Sequence, residues 1–308
     1  MVRLVKMRLT HKTNISGEVI VQPKGSVINE ICSYYDQLSN SEQAIADFVM
    51  ANSNEVPSMT TREIALATKT SAATVSRFAR RLGYKSYLDL CVAISIDEES
   101  GMGDRTSNRI SIDKPRAALE TVLVAKHREL SDTIRLLEVN ELVKAVDLVK
   151  KSDTIEFAAV GNSVPAAQSA SFLFAQVGLR SSCAPTTEAM MLSTLSITCS
   201  DLLIFISKSG HSKRLNKMMD NAMESKTPTI VITNRPDSPL AKRATCVLHA
   251  ATRDKMLNSE IPFSHNSINF IVETLFLLLC SDMPNISRHT NLIWQSLGED
   301  KGSDKELI

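Results

Sequence analysis

Hydrophobic positions in the first third of the chain recur with the spacing of amphipathic helices. Val27, Ile28 and Ile31 share one helical face, and four later segments up to residue 97 repeat this spacing between polar breaks. Residues with side chains that cap helices stand at these breaks, among them Thr60 or Thr61 and Ser71. The pattern predicts a small, all-α unit of five helices.

The pattern changes after residue 150, where short apolar runs alternate with helical segments. Two longer amphipathic helices precede this part, at about 116–137 and 140–150. Such alternation predicts a parallel sheet that is covered by helices on both faces. The five predicted strands span residues 154–160, 179–184, 202–206, 229–233 and 245–249.

Composition limits the classes of protein that fit. The chain has 308 residues, enough for about two domains, and its hydrophobic fraction of 43% supports packed cores. The formal net charge of +1 gives no global attraction to nucleic acid or membranes. The six cysteines form no CxxC pair, and the histidines do not cluster with acids, so we expect free thiols, a cytoplasmic protein, no cofactor and no metal.

A turn rich in hydroxyl groups follows the most apolar predicted strand. The segment Ser207-Lys208-Ser209-Gly210-His211-Ser212 separates strand 202–206 from a predicted helix. The first N–H groups of a helix have no intrahelical acceptor and lie at the positive end of its dipole, so hydroxyls added there favour a bound anion such as phosphate. Alternatively, Ser212 is an ordinary helix cap. Lys208 either adds charge or points to solvent, and we expect solvent.

A second turn of similar composition follows the first predicted strand. Gly161, Asn162 and Ser163 stand between strand 154–160 and a helix that has Pro165 in its first turn. Ligands of open α/β sheets bind beyond the carboxyl ends of the strands. Two small polar turns at such ends strengthen the prediction of a phosphate site.

Two short helices joined by a tight turn, within the first unit, form a helix-turn-helix pattern. The second of them, residues 72–82, is expected to place short side chains and arginines on its open side, where they reach phosphates and base edges of DNA. Between residues 62 and 90 there are six cations against two acids. A plain helical bundle with a basic face is the alternative, but the combined features favour DNA binding. The expected DNA-binding residues are Thr61, Ser71, Ala73, Thr74, Ser76, Arg77, Arg80 and Arg81.

The polar, glycine-containing segment between the two units has the composition of a linker. The expected organisation is a loose leader at 1–26, a DNA-binding domain at 27–97, a linker at 98–115, an α/β domain at 116–290 and a tail at 291–308.

This layout resembles RpiR-type transcriptional regulators, in which a helix-turn-helix domain precedes a sugar isomerase (SIS) domain. Three stretches carry the resemblance: residues 71–84 of the first unit, Val160-Gly161-Asn162-Ser163, and Ser207 to Ser212 with its Ser-x-Ser-Gly-x-Ser spacing. The resemblance covers roughly residues 27–281. It implies an all-α helix-turn-helix domain followed by a three-layer α/β SIS domain with a five-stranded parallel sheet.

The resemblance also implies partners and site residues. Members are dimers or tetramers that bind operator DNA and take a phosphorylated sugar or sugar acid as effector in the SIS domain. By position, the effector would contact Gly161, Asn162, Ser163, Glu188, Ser207, Lys208, Ser209, Gly210 and Ser212. Ser264-His265-Asn266 stands where many members have a serine-arginine pair, so the rest of the ligand contact differs here.

Two other classes of function compete with a ligand-gated regulator. A sugar-phosphate isomerase or lyase with an accessory helical domain needs an acid and a base near the sugar, for which Glu188, Glu260, His265 and Glu273 are the candidates. No two of them are placed as an obvious pair, so we rank the enzyme second. The third class is a scaffold whose SIS fold only dimerises.

Overall fold

The computed structural model describes residues 26–99, 110–257 and 263–282, together with 291, 292 and 295. The predicted leader up to residue 25, most of the linker, Glu260 and most of the tail lie outside these residues. The described part forms an all-α unit followed by an α/β unit, as the sequence predicts.

Five helices and two short 3₁₀ segments build the first unit. Capping boxes begin two of the helices: Ser39 with Glu42, and Thr60 with Glu63, so Thr60 rather than Thr61 is the cap. Fully buried aliphatic and aromatic side chains such as Phe78 join the helices. The helices are α1 (Val27–Tyr34), α2 (Asn40–Ala51), α3 (Thr61–Ala67), α4 (Ala72–Arg81) and α5 (Tyr87–Glu99), and the 3₁₀ segments are Tyr35–Gln37 and Val56–Ser58.

The second unit begins with two long helices and continues in βα alternation. The helices are α6 (Pro115–Leu136), α7 (Val139–Lys151), α8 (Val164–Ala175), α9 (Thr187–Ser193), α10 (Lys213–Glu224), α11 (Asp254–Leu257) and α12 (Asn266–Asp282). The strands are β1 (Ile155–Ala159), β2 (Ser181–Ser182), β3 (Leu202–Ile206), β4 (Thr229–Thr233) and β5 (Cys246–His249). Strand β2 has two residues where six were predicted, and α11 was not predicted.

All five strands are parallel, in the order β2-β1-β3-β4-β5. One hydrophobic cluster lies between the sheet and helices α7, α8 and α12, and a second lies between the opposite face and helices α9 and α10. The three-layer α/β architecture is therefore confirmed. The chain reverses its direction of winding between β1 and β3, which makes the carboxyl ends of these two strands the expected ligand crevice.

The first unit is held against the carboxyl edge of the sheet by a buried polar cluster. Arg253, whose residue is 1% exposed, donates to Asp132 Oδ2 at 3.1 Å and to Ser26 Oγ at 2.7 Å. Beside it, the Thr252 backbone N–H donates to Asn29 Oδ1 at 2.8 Å. These groups are buried and mutually bonded, so α1 forms part of the strand-end edge of the second unit.

Two carboxyl groups at this boundary are desolvated by the packing. Burial raises the pKa of Glu30 to about 8, and burial likewise raises that of Asp97 to about 6, although Asp97 accepts a hydrogen bond from the Val27 N–H. Each carboxyl holds its proton more tightly in the folded chain than in the unfolded one. Folding is therefore favoured by protonation of these groups.

Because protonation of these carboxyls favours the folded chain, we expect the free energy of unfolding to fall as pH rises. The contribution of Glu30 is complete below pH 4.5 and is lost as pH passes through about 8, with a slope of at most about 1.4 kcal/mol per pH unit. We expect Glu30→Gln, which resembles the protonated acid, to flatten the dependence of the urea midpoint on pH between 5 and 8. Equal slopes in the variant and the parent would contradict this assignment.

Candidate functional site

The two polar turns lie side by side at the carboxyl ends of β1 and β3. Strand pairing aligns Ala159 with Ile206, so both strands end at the same level. The 3₁₀ segment Gly161–Ser163 follows β1 and leads into α8, while Ser207 to Ser212 follows β3 and leads into α10. The two turns therefore adjoin. In the first turn, Gly161 and Asn162 are exposed and Ser163 is buried.

The three serines of the second turn have different roles, and we call residues 207–212 the anion turn. Ser207 is buried, and its Oγ accepts from the Gly210 N–H at 3.2 Å, which fixes the turn. Ser209 is exposed. Ser212 caps α10 by accepting from the Leu215 N–H at 3.4 Å. The turn therefore presents hydroxyl groups next to the first N–H groups of a twelve-residue helix.

At Gly210, both the backbone conformation and the neighbouring atoms require a residue without a side chain. Its φ is +63°, and a Cβ atom at this position would lie 2.0 Å from Ser238 Oγ. The close approach at Gly210 is therefore to the Ser238 loop. Gly161 has a similar φ of +57°, but no atom lies within 4 Å of its hypothetical Cβ.

This difference gives a matched pair of substitutions. Gly161→Ala should lower the free energy of unfolding by about 1–2 kcal/mol through backbone strain alone. Gly210→Ala should cost more, because the overpacking against Ser238 adds typically 1–3 kcal/mol. Urea unfolding of both variants measures the difference. Equal losses would show that the contact with Ser238 does not constrain the turn.

Lys208 does not point to solvent, so that expectation is wrong. Its Nζ lies 2.9 Å from Asp254 Oδ2, and the side chain is 21% exposed. Asp254 also accepts from Thr252 Oγ1, and its pKa is lowered, against its burial, by the Lys208 ammonium. A small cavity of about 50 Å³ lies here between the anion turn and the 3₁₀ segment that follows α1.

The remaining candidate acids and histidines are spread over the second unit. Glu188 is exposed, and its carboxylate lies 3.4 Å from Arg214 in the first turn of α10. His265 is half-buried, and burial, with Lys208 nearby, lowers its pKa. Glu273 is exposed on α12. No hydrogen bond joins any two of these three acid–base candidates in the described part of the chain.

Helix α4 presents a narrower surface than the sequence predicted. Ala73, Ser76, Arg77 and Arg80 are spaced at i, i+3, i+4 and i+7, and all but the half-buried Ser76 are exposed. We call these four residues the α4 stripe. Such a stripe is the part of a recognition helix that can enter the major groove.

Four other predicted DNA-binding residues lie off this stripe. Ser71 caps α4, and Thr61 is half-buried in the first turn of α3. Thr74 is buried, which corrects its placement on the open side; its Oγ1 accepts from Arg77 Nη2 at 3.2 Å and so positions that arginine. Arg81 turns away toward α2.

The anion turn and helix α4 are connected through one residue of the first unit. His211 Nδ1 donates to the Ser209 carbonyl at 2.6 Å, so its approach to Gln37 Nε2 at 3.3 Å is a contact between two donors and not a hydrogen bond. The Gln37 backbone carbonyl accepts from Arg81 Nη2 at 2.6 Å. Arg81 also lies 3.6 Å from Glu42. Sequence reasoning missed this connection, because Gln37 carries no local signal of function.

The described residues contain neither a membrane-spanning helix nor a cluster of metal ligands. No helix among them has the length and apolarity to cross a membrane. Within the same ranges, no cluster of three or more His, Cys, Asp or Glu side chains is arranged to hold a metal ion.

Comparison with known proteins agrees with this architecture. Residues 25–100 match the helix-turn-helix domain of the rpiR family, and residues 148–278 match the SIS domain. A protein of Caldanaerobacter subterraneus subsp. tengcongensis, named as an uncharacterized HTH-type transcriptional regulator, is 25% identical over 84% of this chain and 91% of its own length.

Two solved structures share the fold. The NanR protein of Vibrio vulnificus, complexed with ManNAc-6P, has a TM-score of 0.55 at 23% identity and covers 88% of this chain and 98% of its own. A putative sugar-phosphate isomerase from Listeria monocytogenes has a TM-score of 0.52 at 20% identity, over 58% of this chain and 97% of its own. Because the helix-turn-helix and SIS matches follow one another along the sequence, the chain belongs to the RpiR-type transcriptional regulators.

Proposed function

We propose that this regulator binds a phosphorylated sugar or sugar acid at the anion turn and thereby changes its affinity for operator DNA. The observation that carries the proposal is the pairing of two small polar turns at the point where the sheet reverses its winding. Hydroxyl groups and the N-terminus of α10 supply the contacts that a phosphate requires. The complex of the NanR protein with ManNAc-6P is consistent with an effector of this class.

The sugar part of the effector has a separate set of partners. Gly161 and Asn162 are exposed beside the anion turn, and Glu188 pairs with Arg214 in the first turn of α10, so hydroxyl groups of a sugar would meet an amide and a carboxylate there. His265 and Asp254 lie next to Lys208, on the side toward α12. We propose that this chain binds the effector without turning it over, in keeping with a relative that is named an HTH-type transcriptional regulator.

The effector signal has a short physical route to the DNA-binding domain. A phosphate in the anion turn would compete with Asp254 for the Lys208 ammonium and would displace the imidazole of His211. Gln37 contacts His211 and also holds Arg81 at the end of α4. Movement in the anion turn therefore reaches the recognition helix without passing through the linker.

We propose a homodimer or homotetramer joined through the SIS domain. Helix α6 exposes Leu119 and Leu123 at 66% and 68%, one turn apart on the same face. A dimer would carry two DNA-binding domains, and such a pair can bind the two half-sites of an operator.

A thermal-shift panel tests the effector class. We expect at least one sugar phosphate to raise the melting temperature, because a ligand at a hundredfold excess over its Kd adds about 2.7 kcal/mol of stability. The matched unphosphorylated sugars serve as controls for binding through the sugar alone. A panel in which no phosphorylated sugar or sugar acid shifts the melting temperature would refute the effector site and favour the scaffold. Sugar-phosphate turnover by the purified protein would favour the enzyme instead.

A further inference from the structure

A second cavity lies between the two units and adjoins the small cavity beside the anion turn, with which it shares Ser33 and Asn234. It measures about 260 Å³ and lies between α1 and the carboxyl ends of β4 and β5. Leu82, Leu136 and Pro236 give it apolar walls. Pockets of this kind, mostly apolar with a few fixed polar groups and located between domains, are where proteins hold small molecules.

Two polar atoms that line this cavity have no hydrogen-bond partner in the described structure. They are Arg235 Nη1 and Asn234 Oδ1, and the Glu30 carboxyl beside them interacts with Tyr84. Arg235 and Asn234 are each 4% exposed as residues, so water reaches neither side chain freely. Buried polar atoms are nearly always paired, which means that a bound molecule is expected to complete this set.

The hydrogen bonds of Asn234 and Arg235 show which atom of each side chain is left without a partner. Asn234 Nδ2 donates to the carbonyls of Ala250 and Ala251 at 2.7 and 3.0 Å, so its Oδ1 is the free acceptor. Arg235 uses Nε and Nη2 on Asp237 at 2.9 and 3.0 Å, and its guanidinium lies 3.6 Å from the centre of the Tyr34 ring. Only Nη1 remains as a donor.

These groups select the chemistry of the occupant. The positive charge of Arg235 is neutralised by Asp237, and the raised pKa of Glu30 keeps that carboxyl largely protonated at neutral pH. A charged ligand, whether anion or cation, would therefore gain little electrostatic binding energy in this cavity. A hydroxyl group can donate to Asn234 Oδ1 and accept from Arg235 Nη1, so several hydroxyls on one small skeleton satisfy the set.

We propose that this interdomain cavity binds a neutral, polyhydroxylated molecule of about monosaccharide size. Its polar groups come from both units, Glu30 from α1 and Asn234 and Arg235 from the end of β4, so the bound molecule ties the DNA-binding domain to the SIS domain. The proposal does not depend on a phosphate at the anion turn.

Saturation-transfer NMR on the full chain tests the proposal, with D-glucose, D-sorbitol and myo-inositol as probes at millimolar concentration. We expect transfer to at least one probe in the parent protein. Two variants fill the cavity without touching the one beside the anion turn, Leu82→Phe at the end of α4 and Leu136→Phe at the end of α6, and both should weaken that binding at least tenfold.

The Ser207→Ala, Ser209→Ala double variant separates the two sites. It should retain transfer to the polyol, because the interdomain cavity is unchanged. Absence of transfer to every probe in the parent would overturn the proposal and leave a cavity that holds water only. Transfer that persists undiminished in both filled variants, or that disappears in the double serine variant, would also overturn it.

Discussion

Replacement of Arg77 and Arg80 by alanine together is expected to lower operator affinity by about 10²-fold or more. Both arginines are exposed on the α4 stripe, and Thr74 positions the guanidinium of Arg77. An arginine that reads a base contributes about 1–3 kcal/mol, and each lost phosphate contact reduces the salt dependence of binding by about one unit of slope. Fluorescence anisotropy with DNA from upstream of the coding region, over a range of salt concentrations, measures both effects.

A matched control for this variant is Arg116→Ala on α6, where the arginine is 86% exposed and pairs only with Glu120 among the described residues. It removes one exposed cation distant in sequence from α4 and should leave operator binding unchanged. If the double variant binds DNA with the parent's affinity and salt slope, the α4 stripe is not the DNA-binding surface.

Replacement of Ser207 and Ser209 by alanine is expected to abolish stabilisation by the sugar phosphate while the chain still folds. The Gly210 N–H loses its acceptor on Ser207, which costs about 1 kcal/mol, or roughly 2–4 °C in the melting temperature of the free protein. The larger loss is in the ligand-induced shift, because two of the three hydroxyl groups of the anion turn are removed. Differential scanning calorimetry with and without the sugar phosphate separates the two effects.

Ser225→Ala controls for the general effect of removing a hydroxyl group. Ser225 stands at the opposite end of the same helix, α10, where its Oγ donates to the Asn221 carbonyl. This variant should retain the full ligand-induced shift. A double variant that is stabilised as strongly as the Ser225→Ala control would show that the phosphate binds elsewhere.

The sequence predicted the parts of this molecule whose signals are local. An apolar strand followed by hydroxyl groups and a helix is readable within a dozen residues, and the anion turn lies where that pattern placed it. The capping residues Thr60 and Ser71 likewise locate α3 and α4, because their hydrogen bonds span three residues.

The parts that could not be predicted depend on residues far apart in the chain. Arg253 gives no local signal, since its partners Ser26 and Asp132 are 227 and 121 positions away. The direction of Lys208 was predicted wrongly because its partner Asp254 lies 46 residues further on. The docking of α1 on the strand ends therefore emerges only in three dimensions, and with it the interdomain cavity and the Gln37 connection.

Gln37 offers a way to separate coupling from binding. Its side chain contacts His211 of the anion turn, whereas its carbonyl holds Arg81. In a Gln37→Ala variant the backbone carbonyl remains, so DNA binding and effector binding should each persist. The factor by which bound effector changes the affinity for operator DNA should fall toward 1.

The most direct measurement is the operator Kd of the parent protein with and without a saturating sugar phosphate that stabilises it. The account predicts a change of about 5–150-fold, matched by an equal change in effector affinity when operator DNA is bound. The unphosphorylated sugar should produce no such change. An operator Kd that stays the same with every stabilising sugar phosphate would contradict the account.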